Sequence, residues 1–552
     1  MRRRRRVLLL ALSLVIAAGC RSTTPPAPAP SGAPQTGPST GAPPTTATTG
    51  PGAAHWWNDR VFYEIFVRSF ADSTTGPLAN DGIGDFAGLV EKLDYLNDGN
   101  PATTTDLGIT GIWLMPISPS PSYHGYDVTD YYGVHPQYGT RADFERFLAE
   151  CHRRGIKVIT DLVLNHSSSR HPWFLKALEG DPDYRNRYIF VDAKQVPDVR
   201  GPWDQVVWQQ ARGQHYYGIF WSGMPDLNYA NPAVTAEAYR IAEFWLRDVG
   251  VDGFRLDAIR HLIEDGDAMS DTPQTLDWLR GFRAHVKQVK PDAMMVGEVW
   301  TVTEVVSDYI DGGSLDLAFE FDVAKAILKA IESGRRDDLA YALENAYGAY
   351  PGQQFATFVT NHDQDRIASE LGEDRARLAL AASLLLAAPG VPFLYYGEEI
   401  GQVGSKPDEM IRNPMPWTPG KNGGFTQAAR PWEPLQPGHE RRNVATQSAD
   451  PGSLLAHYRQ WIRLRQAEPA LLHGDFRLVD AGRDDVIAWQ RMAADRTLTF
   501  VANLGAEPIA GFTLPATVAP SITVDRITGD AVDPRAPITL DPYGVRLFGS
   551  AR

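Results

Sequence analysis

Cysteine is almost missing from this chain: two in 552 residues. A disulfide framework is therefore not available, and a fold exported from the cytoplasm must rest on its packed core and on bound metal. Long apolar runs are also scarce. The N-terminal one, Val7 to Ala18, is too short for a comfortable bilayer span. Positive charge is in deficit, with 53 Lys and Arg against 67 Asp and Glu. An acidic body with no basic patch argues against a nucleic-acid partner. What remains is a chain with 43% hydrophobic residues, long enough for one large domain with one or two smaller ones.

The N-terminus is set apart by composition. Arg2 to Arg6 form a basic segment, the apolar run follows, and Gly19-Cys20 comes after small residues. This pattern predicts an export signal over residues 1–19. Ala17-Ala18-Gly19-Cys20 resembles a bacterial lipobox, so Cys20 is expected to carry a lipid that holds the mature protein at the cell envelope, with plain secretion the other outcome. Residues 20–54 are almost entirely Pro, Thr, Ala, Gly and Ser and are expected to form a disordered tether. The second cysteine, Cys151, lies in a helical pattern and reads as a small buried residue.

From His55 onward, apolar strand candidates alternate with helical patterns. The strands are Val61–Val67, Thr110–Met115, Lys157–Leu164, Val251–Ala258, Met294–Val299, Leu315–Phe321, Phe355–Thr360 and Val391–Tyr396. The helices include Phe86–Leu96, Ala142–Arg154, Ala233–Val249, Pro273–Val289, Val323–Ser333 and Asp374–Leu386. Eight such repeats predict an α/β fold, a (β/α)8 barrel. Two stretches break the rhythm: Asn165 to Leu227, rich in Trp, Tyr and Pro without a helix period, and Gly401 to Asp450. A helix at Leu454–Gln466 is expected to close the barrel. Short alternating strands from about Leu471 onward read as a separate antiparallel unit.

Four of the strand ends carry polar side chains. Lys157–Leu164 runs into Asn165-His166, Met294–Val299 delivers Glu298, and Phe355–Thr360 leads to Asn361-His362-Asp363. The most informative is Gly253-Phe254-Arg255-Leu256-Asp257. Residues two apart on a strand share a face, so Arg255 stands beside Asp257 and keeps its carboxylate ionised, as a nucleophile requires. Any one of these could be a structural ion pair or a helix cap. Parallel strands whose C-terminal ends all carry chemistry form the site pattern of a (β/α)8 barrel.

These motifs, with Gly111–Pro116, Met224-Pro225-Asp226-Leu227-Asn228 and Gly390–Glu399, resemble those of the α-amylase family, glycoside hydrolase family 13. The Met-Pro-Asp-Leu-Asn form is similar to that of the subgroup between oligo-1,6-glucosidases and neopullulanases. The resemblance implies a catalytic barrel over residues 55–470, a domain B inserted at about 166–227 as one wall of the cleft, and a C-terminal β-sandwich over 471–552. It implies retaining hydrolysis, with Asp257 as nucleophile, Glu298 as general acid and base, and Asp363 gripping sugar hydroxyls. His166, His362 and Tyr126 would bind the donor sugar, and Arg260 and His261 the acceptor side. Arg366 would brace Asp363. Structural calcium is implied at Asn165 with domain-B carboxylates, and at a loop formed by Asp72, Asp81, Ile83 and Asp85.

The expected activity is cleavage of α-1,4 bonds in starch, glycogen or maltooligosaccharides by a monomer. Ala258 after the nucleophile favours this, since α-1,6-specific relatives typically carry Val there. The rivals within the family are an α-glucosidase, a cyclomaltodextrinase or neopullulanase, and a glucanotransferase. The rival of another class, a non-catalytic glycan-binding lipoprotein, is disfavoured because all three acids are present.

Overall fold

The computed structural model describes residues 55–494, 496–515, 518, 523–533 and 535–549. The predicted export signal, the tether and Cys20 lie outside the described residues. Eight parallel strands close into a barrel. They are β1 (Phe62–Ile65), β2 (Gly111–Leu114), β3 (Lys157–Leu162), β4 (Gly253–Leu256), β5 (Met294–Gly297), β6 (Leu317–Phe319), β7 (Phe355–Thr357) and β8 (Val391–Tyr395), each paired to its chain neighbours, with β8 returning to β1. Nearly every strand residue is buried because helices cover the outside, which is why the strands read as apolar runs.

Strand alternation sorts these residues into two cores. Phe62, Trp113, Ile159, Met294, Val296, Leu317, Phe319 and Phe393 fill the barrel interior. Tyr63, Ile112, Leu114, Val158, Phe254, Leu256 and Met295 pack outward under the helices. The period of two then fixes what else points inward. Glu64 follows Phe62, Asp161 follows Ile159, and Glu298 continues the phase of Met294 and Val296. On β4 the outward Phe254 and Leu256 leave Arg255 and Asp257 facing in. Register aligns Asp161 with Arg255 and Arg255 with Val296, so these side chains share a level.

The helices start where capping residues dictate. Asp85 accepts a bond from Gly88 N at the head of Phe86–Leu96, and Thr140 and Asp143 form a capping box for Arg141–Arg153. Thr272 caps Pro273–Val289, with proline in the first turn. The helix expected to reach Val249 keeps α-geometry only to Glu243 and continues as a wider π-turn to Val249 before Gly250. The insertion after β3 holds a three-stranded antiparallel sheet (Phe190–Val191, Gln214–Tyr217, Trp208–Ala211). It also contains a helix, Pro172–Glu179, too short for its period to stand out.

The helix Leu454–Ala467 closes the barrel. Beyond it, a five-stranded antiparallel sheet includes Asp475–Val479, Val486–Ala493, Arg496–Asn503 and Val545–Gly549, and faces a two-stranded sheet, Ile509–Phe512 with Ile538–Leu540. Val486, Ala488 and Val501 point to the small sheet. Ile487, Trp489 and Phe500 belong instead to the core shared with the barrel helices. Among the described residues no helix is long and apolar enough to cross a membrane.

Candidate active site

The inward phases of β3, β4 and β5 meet at one buried guanidinium. Arg255, 1% exposed, donates from Nη1 to Asp161 Oδ1 at 2.7 Å and to Asp257 Oδ1 at 2.6 Å, and from Nη2 to Glu298 Oε2 at 2.7 Å. A rigid fork of donors suits this task, because one planar cation can hold several carboxylates at fixed angles. Asp257 and Glu298, bound to the two arms of one guanidinium, line the same cavity of about 630 Å³. Directly after Asp257 the backbone turns left-handed at Ala258 (φ 49°), an unusual conformation for a residue with a Cβ. The turn aims Ala258 N–H at Glu298 Oε2, 3.1 Å away.

A second network surrounds Asp363. Arg412 Nη2 donates to Asp363 Oδ1 at 2.7 Å, and its Nε to the His362 carbonyl at 2.8 Å. His362 lies with Nε2 2.7 Å from the Tyr126 hydroxyl and 3.1 Å from Asp363 Oδ2, while Nδ1 meets Glu64 Oε1. Burial works against charge on this imidazole, but Asp363 and Glu64 push its pKa up to about 10. The same pairing, with Arg412, holds the Asp363 carboxyl well below the usual carboxylate range despite burial. Tyr126 also donates to Asp161 Oδ2 at 3.1 Å, tying the two networks together.

The charge balance restricts protonation. Glu64, Asp161, Asp257, Glu298 and Asp363 converge on Arg255, Arg412 and His362. With Asp408, which also pairs with Arg412, six acids face three cations, and largely buried carboxylates in excess of their cations cannot all be ionised at low cost. Burial raises Glu298; the nearby Asp257 and Asp363 raise it further, against the pull of Arg255. Burial also raises Asp257, with Arg255 working against it. Asp161 is pushed up to about 7 by burial, again opposed by Arg255. Such a constellation holds a proton near neutral pH, as acid catalysis needs.

Of the sugar-contact residues expected from sequence, all but His362 line this cavity; His362 is fully buried and meets Tyr126 and Asp363, which do line it. Tyr126, His166, Arg260 and His261 line it with the three acids. His166 Nε2 lies 3.2 Å from the Tyr126 carbonyl, and burial lowers its pKa to about 4, leaving it neutral. His261 Nδ1 is fixed by the Met269 carbonyl at 2.8 Å. Arg260 grips Asp271 and donates to the Trp300 carbonyl at 2.5 Å. One expectation needs correcting. Arg366 does not brace Asp363; it donates to the carbonyls of Tyr396 and Ile411, and Arg412 takes the bracing role from 49 residues along the chain. Glu64 and Asp161 were also missed as site residues. The signal was there, since each is an acid in the inward phase of an apolar strand.

The two calcium sites implied by sequence fare differently. Asp72 accepts from Asn80 N, Gly82 N and Thr426 Oγ1. Asp85 accepts from Gly88 N and from Ser73, and Asp81 from Ile83 N. Each of these carboxylates thus accepts at least one protein donor. No cluster of three or more His, Cys, Asp or Glu suited to a metal occurs among the described residues. At Asn165 the donor set does fit a hard cation. Asn165 Oδ1 and Asp226 Oδ2 are buried without a hydrogen-bond partner, beside the facing pair Glu264 and Tyr217. Burial and the Glu264 charge drive Asp226 well above the carboxylate range, and burial raises Glu264 to about 7. Adjacent buried acids with unclaimed oxygens are the environment that calcium relieves.

Comparison with known proteins agrees with this geometry. Residues 64–474 match the family described as alpha amylase, catalytic domain. The chain is 38% identical to Alpha-amylase 3 of Dictyoglomus thermophilum over 455 residues, spanning 81% of this chain and 85% of that protein. It is 30% identical to an oligo-1,6-glucosidase of Parageobacillus thermoglucosidasius over 571 residues, spanning 89% and 98%. The crystal structure of an α-amylase from H. orenii superposes with a TM-score of 0.78 at 39% identity, over 89% of this chain and 99% of that one. With the family match running over most of the chain and glycosidases aligned across at least 85% of their own length, this protein belongs to the α-amylase family, glycoside hydrolase family 13.

Proposed function

We propose that the enzyme hydrolyses α-1,4-glucosidic bonds of starch, glycogen or maltooligosaccharides with retention of configuration. The observation that carries this reading is the Arg255 fork, which presents Asp257 and Glu298 to one cavity. Asp257 attacks the anomeric carbon while Glu298 gives its proton to the departing glycosidic oxygen, forming a glycosyl-enzyme. Glu298 then takes a proton from water, which displaces Asp257. Asp363, held ionised by Arg412 and His362, accepts hydrogen bonds from donor-sugar hydroxyls and favours the distorted ring. Tyr126 offers its ring as the stacking face beneath that sugar.

Similarity to an α-amylase at 38% identity and Ala258 after the nucleophile support the α-1,4 choice. The oligo-1,6-glucosidase relative supports the α-1,6 rival. Product analysis on maltoheptaose, starch, cyclodextrin and isomaltose separates them: maltooligosaccharides from the first two are expected, and turnover of isomaltose alone would reject the proposal. Calcium would be held by Asn165, Asp226 and Glu264, joining domain B to the barrel. The function fits an enzyme exported and anchored through Cys20, acting as a monomer on extracellular glucan.

A further inference from the structure

Glu64 is an acid that the proton-transfer scheme leaves without a task. It is buried in the inward phase of β1, level with Trp113 on β2. Its Oε1 meets His362 Nδ1, 298 residues away along the chain. His362 is itself fully buried and, unlike Asp257, Glu298 and Asp363, does not line the cavity. Aromatic rings wedge the imidazole in place. Tyr126 stacks on it with centroids 5.6 Å apart and 13° between planes, and Trp113 meets it at a near-right angle, 5.5 Å away. Arg412 Nε pins the His362 carbonyl at 2.8 Å.

The two ring nitrogens fix the proton count. Nδ1 faces the Glu64 carboxylate, while Nε2 faces Asp363 Oδ2 at 3.1 Å and the Tyr126 hydroxyl at 2.7 Å. A neutral imidazole has a single N–H, so its lone pair would point at a carboxylate oxygen. An imidazolium donates from both ends. Tyr126 then accepts from Nε2 and gives its own hydrogen to Asp161 Oδ2 at 3.1 Å. Burial opposes the charge, yet Asp363 and Glu64 outweigh it. Asp161 and Asp257 face the ring from β3 and β4, and Tyr395 on β8 faces Glu64. Arg255 and Arg412 act on Asp363 from the other side. We infer that Glu64 is a positioning residue that keeps His362 doubly protonated, and that this cation works through Asp363 and Tyr126 without touching the sugar. Glu64 thereby sets the charge and aim of Asp363 from behind the ring, and Arg412 supplies the other half of the hold. This rests on the glycosidase reading and adds to it an acid that acts one side chain removed from the substrate.

The ring can be read before turnover. NMR on protein carrying isotope-labelled histidine, with His362→Gln to identify the signal, should find both ring nitrogens protonated until about pH 10. Glu64→Gln keeps an acceptor for Nδ1–H but removes the charge. In that variant the midpoint should fall by at least about one pH unit. Its kcat on maltoheptaose should fall about 10- to 100-fold with KM little changed. On α-maltotriosyl fluoride, whose leaving group needs no proton from Glu298, the alkaline limb of kcat should move down with the midpoint. In a His362→Gln background the same change at Glu64 should cost almost nothing further. A singly protonated ring in the wild type at neutral pH overturns the inference, and that measurement needs no variant at Glu64 to fold. An unmoved midpoint in Glu64→Gln, or an equal loss of kcat with and without His362, overturns it as well. The ring titration uses no substrate, so it decides the role of Glu64 apart from the α-glucan reading, which product analysis decides.

Discussion

Two arginines in this molecule are equally dry and do opposite work. Arg255, at the C-terminal end of the barrel, is 1% exposed and is surrounded by Asp161, Asp257 and Glu298. Arg465 is 0% exposed and pairs with no carboxylate among the described residues. It donates instead to the carbonyls of Leu386, Ala388 and Gly390, just ahead of β8 at the opposite end. Burial and the Arg491 charge lower its pKa to about 9, while the carboxylates drive Arg255 the other way against burial. Neutral carbonyls anchor a cation and stitch backbone ends together. Carboxylates that outnumber their cations leave a proton to be moved. The partner set, not burial, separates a structural charge from a chemical one.

The sharpest way to break this contrast is to exchange both arginines for lysine. Arg255→Lys keeps the charge but loses the fork, and kcat should fall by about 100-fold or more with a modest stability change. Arg465→Lys should leave kcat of the folded enzyme intact and cost about 2–3 kcal/mol in denaturant unfolding. If the two variants behave alike, the partner argument fails.

A smaller effect concerns anions without a cation. Calcium at Asn165, Asp226 and Glu264 should stabilise the fold by about 3 kcal/mol at a hundredfold excess over Kd, read as a higher Tm. Asp226→Asn should abolish the response to chelator. A chelator without effect on either protein removes calcium from the account.

The smallest concerns Glu398, also buried, whose Oε1 accepts from Tyr458 OH at 2.7 Å while Oε2 lacks a partner. Burial raises its pKa from 4.5 to about 8. The folded value exceeds the unfolded one, so its contribution is fully present below pH 4.5 and is lost as pH rises through about 8. Glu398→Gln should flatten stability against pH across that window by roughly 1–3 kcal/mol. Parallel wild-type and variant curves would show that another group sets the slope.

The barrel was legible because each strand is an unbroken apolar run, and burial on both faces enforces that pattern. All eight strands lie within their expected ranges, and Phe86–Leu96 and Pro273–Val289 have the expected ends. The short helix Pro172–Glu179 was not legible, since two turns carry too little periodicity against a background of Trp and Pro. Domain B is expected as a wall of the cleft, and its Trp203, Phe220 and Trp221 line the cavity, but its three-stranded sheet is not legible in the sequence.

By itself the sequence determined the period-two phase that turns Arg255, Asp257 and Glu298 into the barrel, because alternation is local geometry that each strand carries within itself. Only the tertiary structure decided which distant groups complete the site. Arg412 rather than Arg366 holds Asp363, and Glu64 on the first strand reaches His362 after the seventh. The reason is that closing the barrel brings the first strand beside the last, and a loop returning over its rim can place a side chain on any strand end it crosses. That placement depends on chain path and packing, which spacing along the sequence does not encode.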